Sequence, residues 1–308
     1  MENDIYDLAI IGTGPAGLSA SLYASRFGIN HVVIGGLMGG LISESHHIDN
    51  YLGVEDATGF EFGQKITDHV KKYGVEIIPI LVRHIEKENN LFKLSLDSTK
   101  EIKARTILLA TGTKRRKLGA KGEEEFAGKG ISYCATCDGF FYKGKTVAVV
   151  GGSDSAAGAA IYLADIAEKV YVIYRGSELR CETYWKKKIE ENPKIKVLCG
   201  YNLKEVAGDQ KLQKVILDND YEGKSEIELD GLFIEVGSDP SVDFAKDLGV
   251  EEDKSGYIKI RSDCSTSIEG VWAAGDITDG SDKFRQVITA AAEGAIAARS
   301  IFNYLKRK

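Results

Sequence analysis

The sequence predicts an α/β protein built from two βαβ-type domains, and three observations lead to this prediction. Apolar runs of strand length alternate with helical stretches along the whole chain of 308 residues. Two βαβ units each contain a glycine turn between strand and helix, and the turns lie about 140 residues apart. Glycine accounts for 34 residues and proline for only 4, which disfavours a disordered or proline-rich chain.

The first βαβ unit begins the chain. Residues 6–11 form a short apolar run typical of a buried strand, residues 17–27 a helical stretch, and residues 31–34 a second apolar run. The turn Gly12–Gly17 fits G-x-G-x-x-G, in which glycines make the turn, admit a pyrophosphate to the backbone and pack the helix on the strand. The sequence therefore predicts a bound dinucleotide, although the usual acidic ribose ligand about 20 residues later is missing.

The second βαβ unit lies in the middle of the chain. Residues 146–150 and 170–174 are the predicted strands, and residues 153–168 form a helix of small residues after the turn Gly151-Gly152. Residues 284–308 predict a long final helix with small side chains on one face. Such a face allows a helix to lie close to backbone or to a ligand.

Composition excludes several functional classes. The formal net charge of −6 and the pI near 5.6 give no basis for non-specific nucleic-acid binding. No apolar run approaches the ~18 residues of a membrane span. The acidic start Met1-Glu2-Asn3-Asp4 is unlike a signal peptide, so we expect a cytoplasmic protein. Five cysteines in such a protein are not a disulfide framework.

Two of the cysteines, Cys134 and Cys137, have the spacing C-x-x-C, which predicts a redox-active pair. The alternative is half of a zinc site, which needs two further ligands, and no metal is expected because the other candidates are scattered. Asp138 is a candidate acid or base for the leaving thiolate. The scattered candidates are Cys181, Cys199, Cys264, His46 and His47.

A predicted strand near the C-terminus ends in Gly275-Asp276. A carboxylate at the mouth of a sheet can accept hydrogen bonds from the hydroxyl groups of a sugar-like ligand. The alternative is an ordinary loop aspartate.

Taken together, these motifs resemble the low-molecular-weight thioredoxin reductases, flavoproteins that pass electrons through FAD to a C-A-T-C disulfide and on to thioredoxin. The resemblance covers nearly the whole chain. The motifs that carry it are Gly12–Gly17, Gly39-Gly40, Asp49-Asn50, Ala110-Thr111-Gly112, Cys134–Phe141, Ala273–Asp276 and Arg285-Gln286.

The resemblance implies two Rossmann-like, three-layer dinucleotide-binding domains, the second inserted in the first. Residues 1–114 and 242–308 would form the FAD-binding domain, and residues 115–241 an NAD(P)H-like domain that carries the redox disulfide. The family also implies a homodimer and a swing of the inserted domain between two orientations.

Site residues follow from the same resemblance. Cys137 would face the flavin, Cys134 would attack thioredoxin, and Asp138 would donate the proton. Leu41 stands where the family usually has glutamine, and Tyr51-Leu52 replace Trp-Pro, which bears on flavin tuning. The implied FAD-binding residues are Gly12, Gly14, Pro15, Ala16, Gly17, Gly40, Leu41, Asn50, Val82, Ala110, Thr111, Gly112, Gly275, Asp276, Arg285, Gln286 and Val287.

The second glycine turn departs from the NADPH-using members, which have G-x-G-x-x-A. Ser153 replaces the second glycine, and Asp154 adds a negative charge beside the expected phosphates. Like charges ~5 Å apart cost about 3 kcal/mol at an effective dielectric constant of ~20. We therefore expect weak or absent use of NADPH. The alternative is that Ser153 is tolerated in a residual nucleotide site together with Gly152.

The site for the 2′-phosphate is also thinned. Arg175 and Arg180 remain, but Gly176 replaces an arginine and Glu178 adds a repelling charge. The alternative is that two arginines suffice.

Relatives that lack both nucleotide motifs take electrons from reduced ferredoxin, and the chain resembles that ferredoxin-dependent branch. A plant-type ferredoxin has a reduction potential of about −400 mV and thioredoxin one of about −270 mV. The transfer of two electrons from ferredoxin to thioredoxin therefore releases roughly 6 kcal/mol. The basic runs Lys114–Lys117 and Lys186–Lys188 could steer an acidic partner, or they could simply be solvated.

Three alternatives stay open or are set aside. The first is an ordinary NADPH-dependent thioredoxin reductase. The second is a flavin-binding interaction protein without catalysis, in which cysteine substitutions would change nothing. The third is a peroxidase-coupled flavoprotein, which carries an extra redox domain before the first strand. We do not expect it, because the first predicted strand begins only a few residues after Met1.

Overall fold

The computed structural model describes residues 5–45, 48, 50–97 and 100–308. His46, His47 and Asp49, named above, lie outside the described residues. The chain divides into two compact units, of which unit 1 comprises Met1–Lys114 and Asp239–Lys308, and unit 2 comprises Arg115–Ser238.

Strands and helices alternate in the two βαβ units, as predicted, but not along the whole chain. The strands are β1 (Ile5–Ile11), β2 (His31–Ile34), β3 (Glu76–Ile78), β4 (Val82–Glu88), β5 (Leu91–Leu96), β6 (Glu101–Leu109), β7 (Thr113–Arg115), β8 (Ile131–Ser132), β9 (Thr146–Val150), β10 (Lys169–Tyr174), β11 (Ile195–Cys199), β12 (Leu203–Gly208), β13 (Leu212–Tyr221), β14 (Lys224–Glu228), β15 (Gly231–Ile234), β16 (Ser238–Pro240) and β17 (Val271–Ala273). The α-helices are α1 (Pro15–Arg26), α2 (Gly59–Lys71), α3 (Glu123–Phe126), α4 (Ala135–Asp138), α5 (Asp154–Ile166), α6 (Thr183–Glu190) and α7 (Val287–Leu305). Strands β3–β7 and β11–β16 follow one another with no α-helix between them among the described residues.

Unit 1 contains a sheet in the order β3-β2-β1-β6, in which neighbouring strands are parallel. The first half of the long strand β6 pairs antiparallel with β5, and its second half pairs in parallel with β17. Strand β4 completes an antiparallel meander beside β5. The carboxyl ends of β1, β2, β6 and β17 therefore meet at one edge, where ligands bind in open α/β sheets.

Two helices cover one face of this sheet. Small residues of α1 and α7 pack on apolar side chains of β1 and β6 in one buried cluster. A side chain at Gly294 of α7 would overlap the carbonyl group of Ala16 in α1, so the two helices approach backbone to backbone. This confirms the prediction that the small side chains of the final helix allow it to lie close to backbone. On the other face of the sheet, a second cluster of buried hydrophobic residues covers the strands.

Unit 2 repeats the plan with a parallel sheet in the order β11-β10-β9-β15-β8. Helix α5 packs on one face through buried alanines and leucine. The antiparallel strands β12, β13 and β14 cover the other face. Each unit thus has a central sheet built around parallel strands and covered on both faces, and the predicted α/β fold class is confirmed. Among the described residues, no helix combines the length and the apolar character needed to cross a membrane.

Candidate functional site

The cysteine pair lies between β8 and the short helix α4. Cys134 and Cys137 form a disulfide with their Cα atoms 5.3 Å apart. Cys134 is the N-cap of α4, and its Sγ accepts a hydrogen bond from the backbone N–H of Cys137 at 3.2 Å. After reduction, the same N–H would favour the thiolate of Cys134, which is the reactive form of a cysteine.

The turn that carries the disulfide is held on both sides. The Ser132 Oγ accepts a hydrogen bond from the backbone N–H of Cys134 at 3.0 Å and donates one to the carbonyl oxygen of Cys134 at 3.2 Å. Behind the turn, Gly139 lies against α5, where an added Cβ would come within 2.9 Å of the Tyr162 ring and 3.1 Å of Leu163. The disulfide therefore sits on a rigid base.

A buried carboxylate, Glu123, supports the same region. It is 2% exposed and accepts hydrogen bonds from the backbone N–H groups of Leu118 at 2.9 Å and Gly119 at 2.5 Å. It also accepts one from the hydroxyl of Tyr133 at 2.6 Å, and burial together with this bond raises the pKa of Tyr133. Sequence reasoning missed Glu123, because a run of three glutamates gives no sign of which one is buried.

The surroundings of the disulfide are aromatic and exposed. Phe140 and Phe141 follow the turn and are 72% and 70% exposed. Burial raises the pKa of Tyr142, and the negative charge of the half-buried Asp138 adds to this. Exposed aromatic side chains beside a reactive group are typical of surfaces that bind protein.

The glycine turn of unit 1 differs in packing between Gly12 and Gly14. Gly12 has φ +124° and faces the carbonyl group of Ala110, so no side chain fits there. Gly14, the N-cap of α1, has its nearest neighbour, the Cα of Gly40, 3.8 Å from where a Cβ would lie. The turn is thus packed from behind by Ala110 and less closely packed at Gly14, which suits the close approach of a pyrophosphate.

Two predicted flavin-site residues from distant parts of the chain meet directly. The Asn50 side-chain amide donates a hydrogen bond to the Gln286 Oε1 at 3.0 Å. Beside them, the Arg285 guanidinium lies over the ring of Tyr257 at 4.1 Å. Its Nε and Nη2 are buried and have no hydrogen-bond partner in the part of the chain that the structure describes. A buried arginine with unused donors fits an anionic or carbonyl-bearing ligand.

Asp276 is the second indication of a ligand here. Burial raises the pKa of its carboxyl group, the positive charge of Arg285 opposes this, and the negative charge of Glu293 adds to it. Glu293, on α7 and 7% exposed, accepts hydrogen bonds that fix the loop carrying Asp276. The donors are the N–H of Gly275 at 2.8 Å and the hydroxyls of Thr278 at 3.1 Å and Ser281 at 2.6 Å. Glu293 was missed, although a lone glutamate in an alanine-rich helix is a usable signal.

The remaining predicted residues of unit 1 lie at the ends of its elements. Pro15 and Val287 are the first residues of α1 and α7, and Val82 is the first residue of β4. Leu41 lies in the 3-10 helix Gly40–Glu44. The carboxyl edge of the sheet carries the other five, which are Ala16, Gly17, Thr111, Gly112 and Gly275. The Thr111 hydroxyl donates to the carbonyl of Ser241 at 2.8 Å. The glycine turn, the orphaned guanidinium and the buried carboxylate together fit a flavin dinucleotide.

The glycine turn of unit 2 is different. Ser153 is the N-cap of α5, and the Asp154 carboxylate accepts a hydrogen bond from the backbone N–H of Glu182 at 2.7 Å. The N–H of Arg180 donates to the carbonyl of Gly152 at 2.7 Å, so the segment after β10 folds back on the turn. The side chains of Arg175 and Arg180 are exposed.

The two basic runs are largely paired within the chain. Lys114 binds Asp243 at 2.7 Å, Arg115 binds Glu235 at 3.1 Å and Lys117 binds Glu124 at 2.7 Å. In α6, Lys186 and Lys187 lie 3.6 Å and 3.9 Å from Glu178 and Glu191, and Lys188 lies over the rings of Tyr184 and Trp185. This pairing weakens the argument that either run attracts an acidic partner.

The chain is similar to several known disulfide oxidoreductases. The family described as pyridine nucleotide-disulphide oxidoreductase matches residues 6–294. The chain is 37% identical to the thioredoxin reductase of Bacillus subtilis, over 99% of this chain and 96% of that protein. The crystal structure of Lactococcus lactis thioredoxin reductase (FR conformation) has 34% identity and a TM-score of 0.93, covering 98% of this chain and all of that one. A ferredoxin-flavin thioredoxin reductase from Clostridium acetobutylicum has 31% identity and a TM-score of 0.54, covering 98% and 99%.

Proposed function

The chain belongs to the pyridine nucleotide-disulphide oxidoreductase family, and from this premise we propose that it is an FAD-dependent thioredoxin reductase. The observation that carries the proposal is the Cys134–Cys137 disulfide, held on a rigid turn beside the exposed Phe140 and Phe141. A protein disulfide is the substrate that such a surface suits, because a small-molecule disulfide needs no aromatic docking surface.

The residues at the glycine turn of unit 1 would hold FAD. Gly12 and Gly14 would lie against its pyrophosphate, Asp276 would accept hydrogen bonds from its hydroxyl groups, and Arg285 would use its unpaired donors. FAD, when bound, supplies the two-electron chemistry that converts the disulfide to a dithiol. The domain roles, with FAD in residues 1–114 and 242–308 and the disulfide in 115–241, form part of the proposal.

Thiol–disulfide exchange then needs only residues of this chain and the substrate. The Cys134 thiolate attacks one sulfur of the thioredoxin disulfide, forming a mixed disulfide and releasing the other sulfur as a thiolate. Cys137 attacks the Cys134 sulfur, which restores the Cys134–Cys137 disulfide and releases reduced thioredoxin. Asp138, the neighbour of Cys137 in the sequence, would exchange the proton of Cys137. The backbone N–H of Cys137 would stabilise the Cys134 thiolate before it attacks the thioredoxin disulfide.

We propose further that the electron donor is a low-potential carrier, reduced ferredoxin or a similar one-electron protein. The departures at Ser153, Asp154 and Gly176 support this, as does the likeness to a ferredoxin-flavin thioredoxin reductase. The transfer is downhill by roughly 6 kcal/mol for two electrons. Since the basic runs are paired internally, no particular docking surface is assigned to the carrier.

The alternative donor is NADPH. One observation favours it: Arg175 and Arg180, the two arginines retained from the 2′-phosphate site, have exposed side chains.

An anaerobic absorbance experiment separates the donors. The oxidised holoprotein is mixed with excess NADPH, NADH or reduced ferredoxin, and the flavin band is followed over time. We expect bleaching by ferredoxin alone, and rapid bleaching by NADPH would contradict the ferredoxin proposal.

A homodimer in the cytoplasm remains a prediction of the sequence.

A cysteine variant tests the reaction itself. Cys134→Ser should retain bound flavin and lose thioredoxin reduction by at least about 10³-fold, because the attacking sulfur is gone. Cys199→Ser is the matched control and should keep full turnover. Turnover retained in Cys134→Ser would refute the mechanism and favour a flavin-binding protein without catalysis.

A further inference from the structure

A tyrosine ring lies on the glycine turn of unit 2. Tyr174 is the last residue of β10, and its half-buried ring covers Gly152. A Cβ added to Gly152 would come within 2.6–2.7 Å of three atoms of the ring. The backbone of Gly152 is not in the left-handed region, so the ring itself is what excludes a side chain there.

The same ring explains the missing arginine. A Cβ at Gly176 would lie 2.5 Å from the Tyr174 Cε1, 2.8 Å from its Cζ and 3.0 Å from its hydroxyl oxygen. Gly176 also has no positive φ. Any side chain at position 176, arginine included, would therefore have to displace the ring. Tyr174 and Gly176 form a matched pair.

Neighbouring groups hold the ring in place. The Arg180 guanidinium lies over it at 5.8 Å, and the Arg180 N–H is bonded to the carbonyl of Gly152 at 2.7 Å. The adjoining residues Leu179 and Cys181 are 8% and 6% exposed and anchor the segment in the core under α5. One of the two retained arginines is thus engaged in covering the tyrosine.

In a dinucleotide-binding βαβ unit, the pyrophosphate lies against the glycine turn and the adenosine ribose reaches the residue at the end of the second strand. A ring that extends from the end of β10 to Gly152 spans the interval between these two positions. We infer that Tyr174 is a specificity-determining residue that closes the second nucleotide site, so that unit 2 excludes pyridine dinucleotides. This inference deepens the donor proposal and rests on it.

The test measures binding of NADP+ to the oxidised holoprotein by isothermal titration calorimetry. Tyr174→Ala removes the ring, and Ser153→Gly/Tyr174→Ala also removes the Cβ at the turn. Tyr174→Phe is the matched control, because it keeps the ring and loses only the hydroxyl. We expect at least tenfold tighter binding in Tyr174→Ala than in wild type, tighter binding still in the double variant, and no gain in Tyr174→Phe or in Ser153→Gly alone.

Two results would overturn the inference. The first is wild-type protein that binds NADP+ as tightly as Tyr174→Ala, because the ring would then move aside without cost. The second is Tyr174→Ala that binds no more tightly than Tyr174→Phe. Thioredoxin reduction with reduced ferredoxin is measured on the same preparations, so this inference and the proposed function can fail separately.

Melting temperatures measured without ligand test the contact between Tyr174 and Gly176 independently of nucleotide binding. Gly176→Ala should lower the melting temperature by several degrees when Tyr174 is present and should be neutral in the Tyr174→Ala background. Equal effects in both backgrounds would show that ring and glycine are not coupled, which contradicts the pairing.

Discussion

The two glycine turns of this chain begin from the same motif and end as different surfaces. Both follow a buried strand and precede a helix of small residues. In unit 1, Gly14 has room for a side chain, since a Cβ added there would make only an ordinary van der Waals contact, 3.8 Å from the Cα of Gly40. In unit 2, Gly152 faces the ring of Tyr174, and Ser153 takes the place of a glycine. A glycine turn therefore indicates only a candidate ligand site, because in unit 2 a side chain from the end of the next parallel strand lies against the turn.

The units also differ in what their buried carboxylates support. Glu293 fixes the loop of Asp276 near the glycine turn of unit 1, whereas Glu123 fixes the loop beside Tyr133 and the disulfide. On the proposed function, one unit would hold a ligand, and the other holds the cysteine pair. Each function should fail independently when its own support is removed.

The largest expected effect comes from Glu293→Ala. Three donors lose their acceptor in the core of unit 1, at about 1–3 kcal/mol for each buried group left unpaired. We expect a loss of at least about 3 kcal/mol in unfolding free energy, measured by urea denaturation, together with a lower flavin-to-protein absorbance ratio. Glu123→Ala is the counterpart in unit 2 and should lose stability while retaining flavin. Equal flavin loss in both variants would break the division between the units.

A smaller effect is expected from Gly14→Ala. The backbone at Gly14 has φ −82°, and an added Cβ would make only an ordinary van der Waals contact with Gly40, so the apoprotein should fold with unchanged stability. The new methyl group would occupy the surface that the pyrophosphate approaches, an overpacking cost of about 1–3 kcal/mol. Flavin affinity should therefore fall about ten- to hundredfold, measured by fluorescence titration of the apoprotein. Ser153→Gly is the control in unit 2, and a change in its flavin affinity would count against the assignment.

The pH dependence of the apoprotein tests Asp276. Because burial raises the pKa of this carboxyl above its ordinary 3.8, the folded protein binds more protons than the unfolded chain between the two pKa values. Through this window the contribution of Asp276 to stability falls as the pH rises. Thermal melts should show Asp276→Asn more stable than wild type at pH 7 and no more stable near pH 3. Parallel curves for the two proteins would contradict the burial argument.

The smallest effect is expected from the basic helix of unit 2. Lys187 and Lys188 contact Glu191 and the aromatic rings of α6, and exposed pairs of this kind contribute only ~0–1 kcal/mol. Lys187→Ala/Lys188→Ala should change the rate of flavin reduction by ferredoxin less than about twofold. Stopped-flow rates at low and high salt measure this. A tenfold loss that disappears in high salt would restore α6 as a docking surface.

Local patterns predicted much of what the structure shows. The apolar run before Gly12 became β1, residues 31–34 and 146–150 became β2 and β9, and Cys134 and Cys137 are joined as their spacing suggested. These features depend on neighbours in the sequence: strand periodicity, turn glycines and a three-residue separation. For this reason they could be inferred without a structure.

Contacts between distant residues could not be inferred in this way. The bond from Asn50 to Gln286, the stacking of Arg285 on Tyr257 and the three donors gathered by Glu293 join segments far apart in the chain. The basic runs are a related case. The sequence shows their charges, and only the fold shows that Asp243, Glu235 and Glu124 neutralise them.

The sequence by itself determined the α/β class, the two glycine turns and the cysteine pair, because each is written in residues close to one another. It also showed Ser153 and Gly176 as departures from an NADPH site. Only the tertiary structure decided what those departures mean. The ring of Tyr174 has to fold back over Gly152 before Gly176 becomes necessary, and that placement depends on packing in three dimensions.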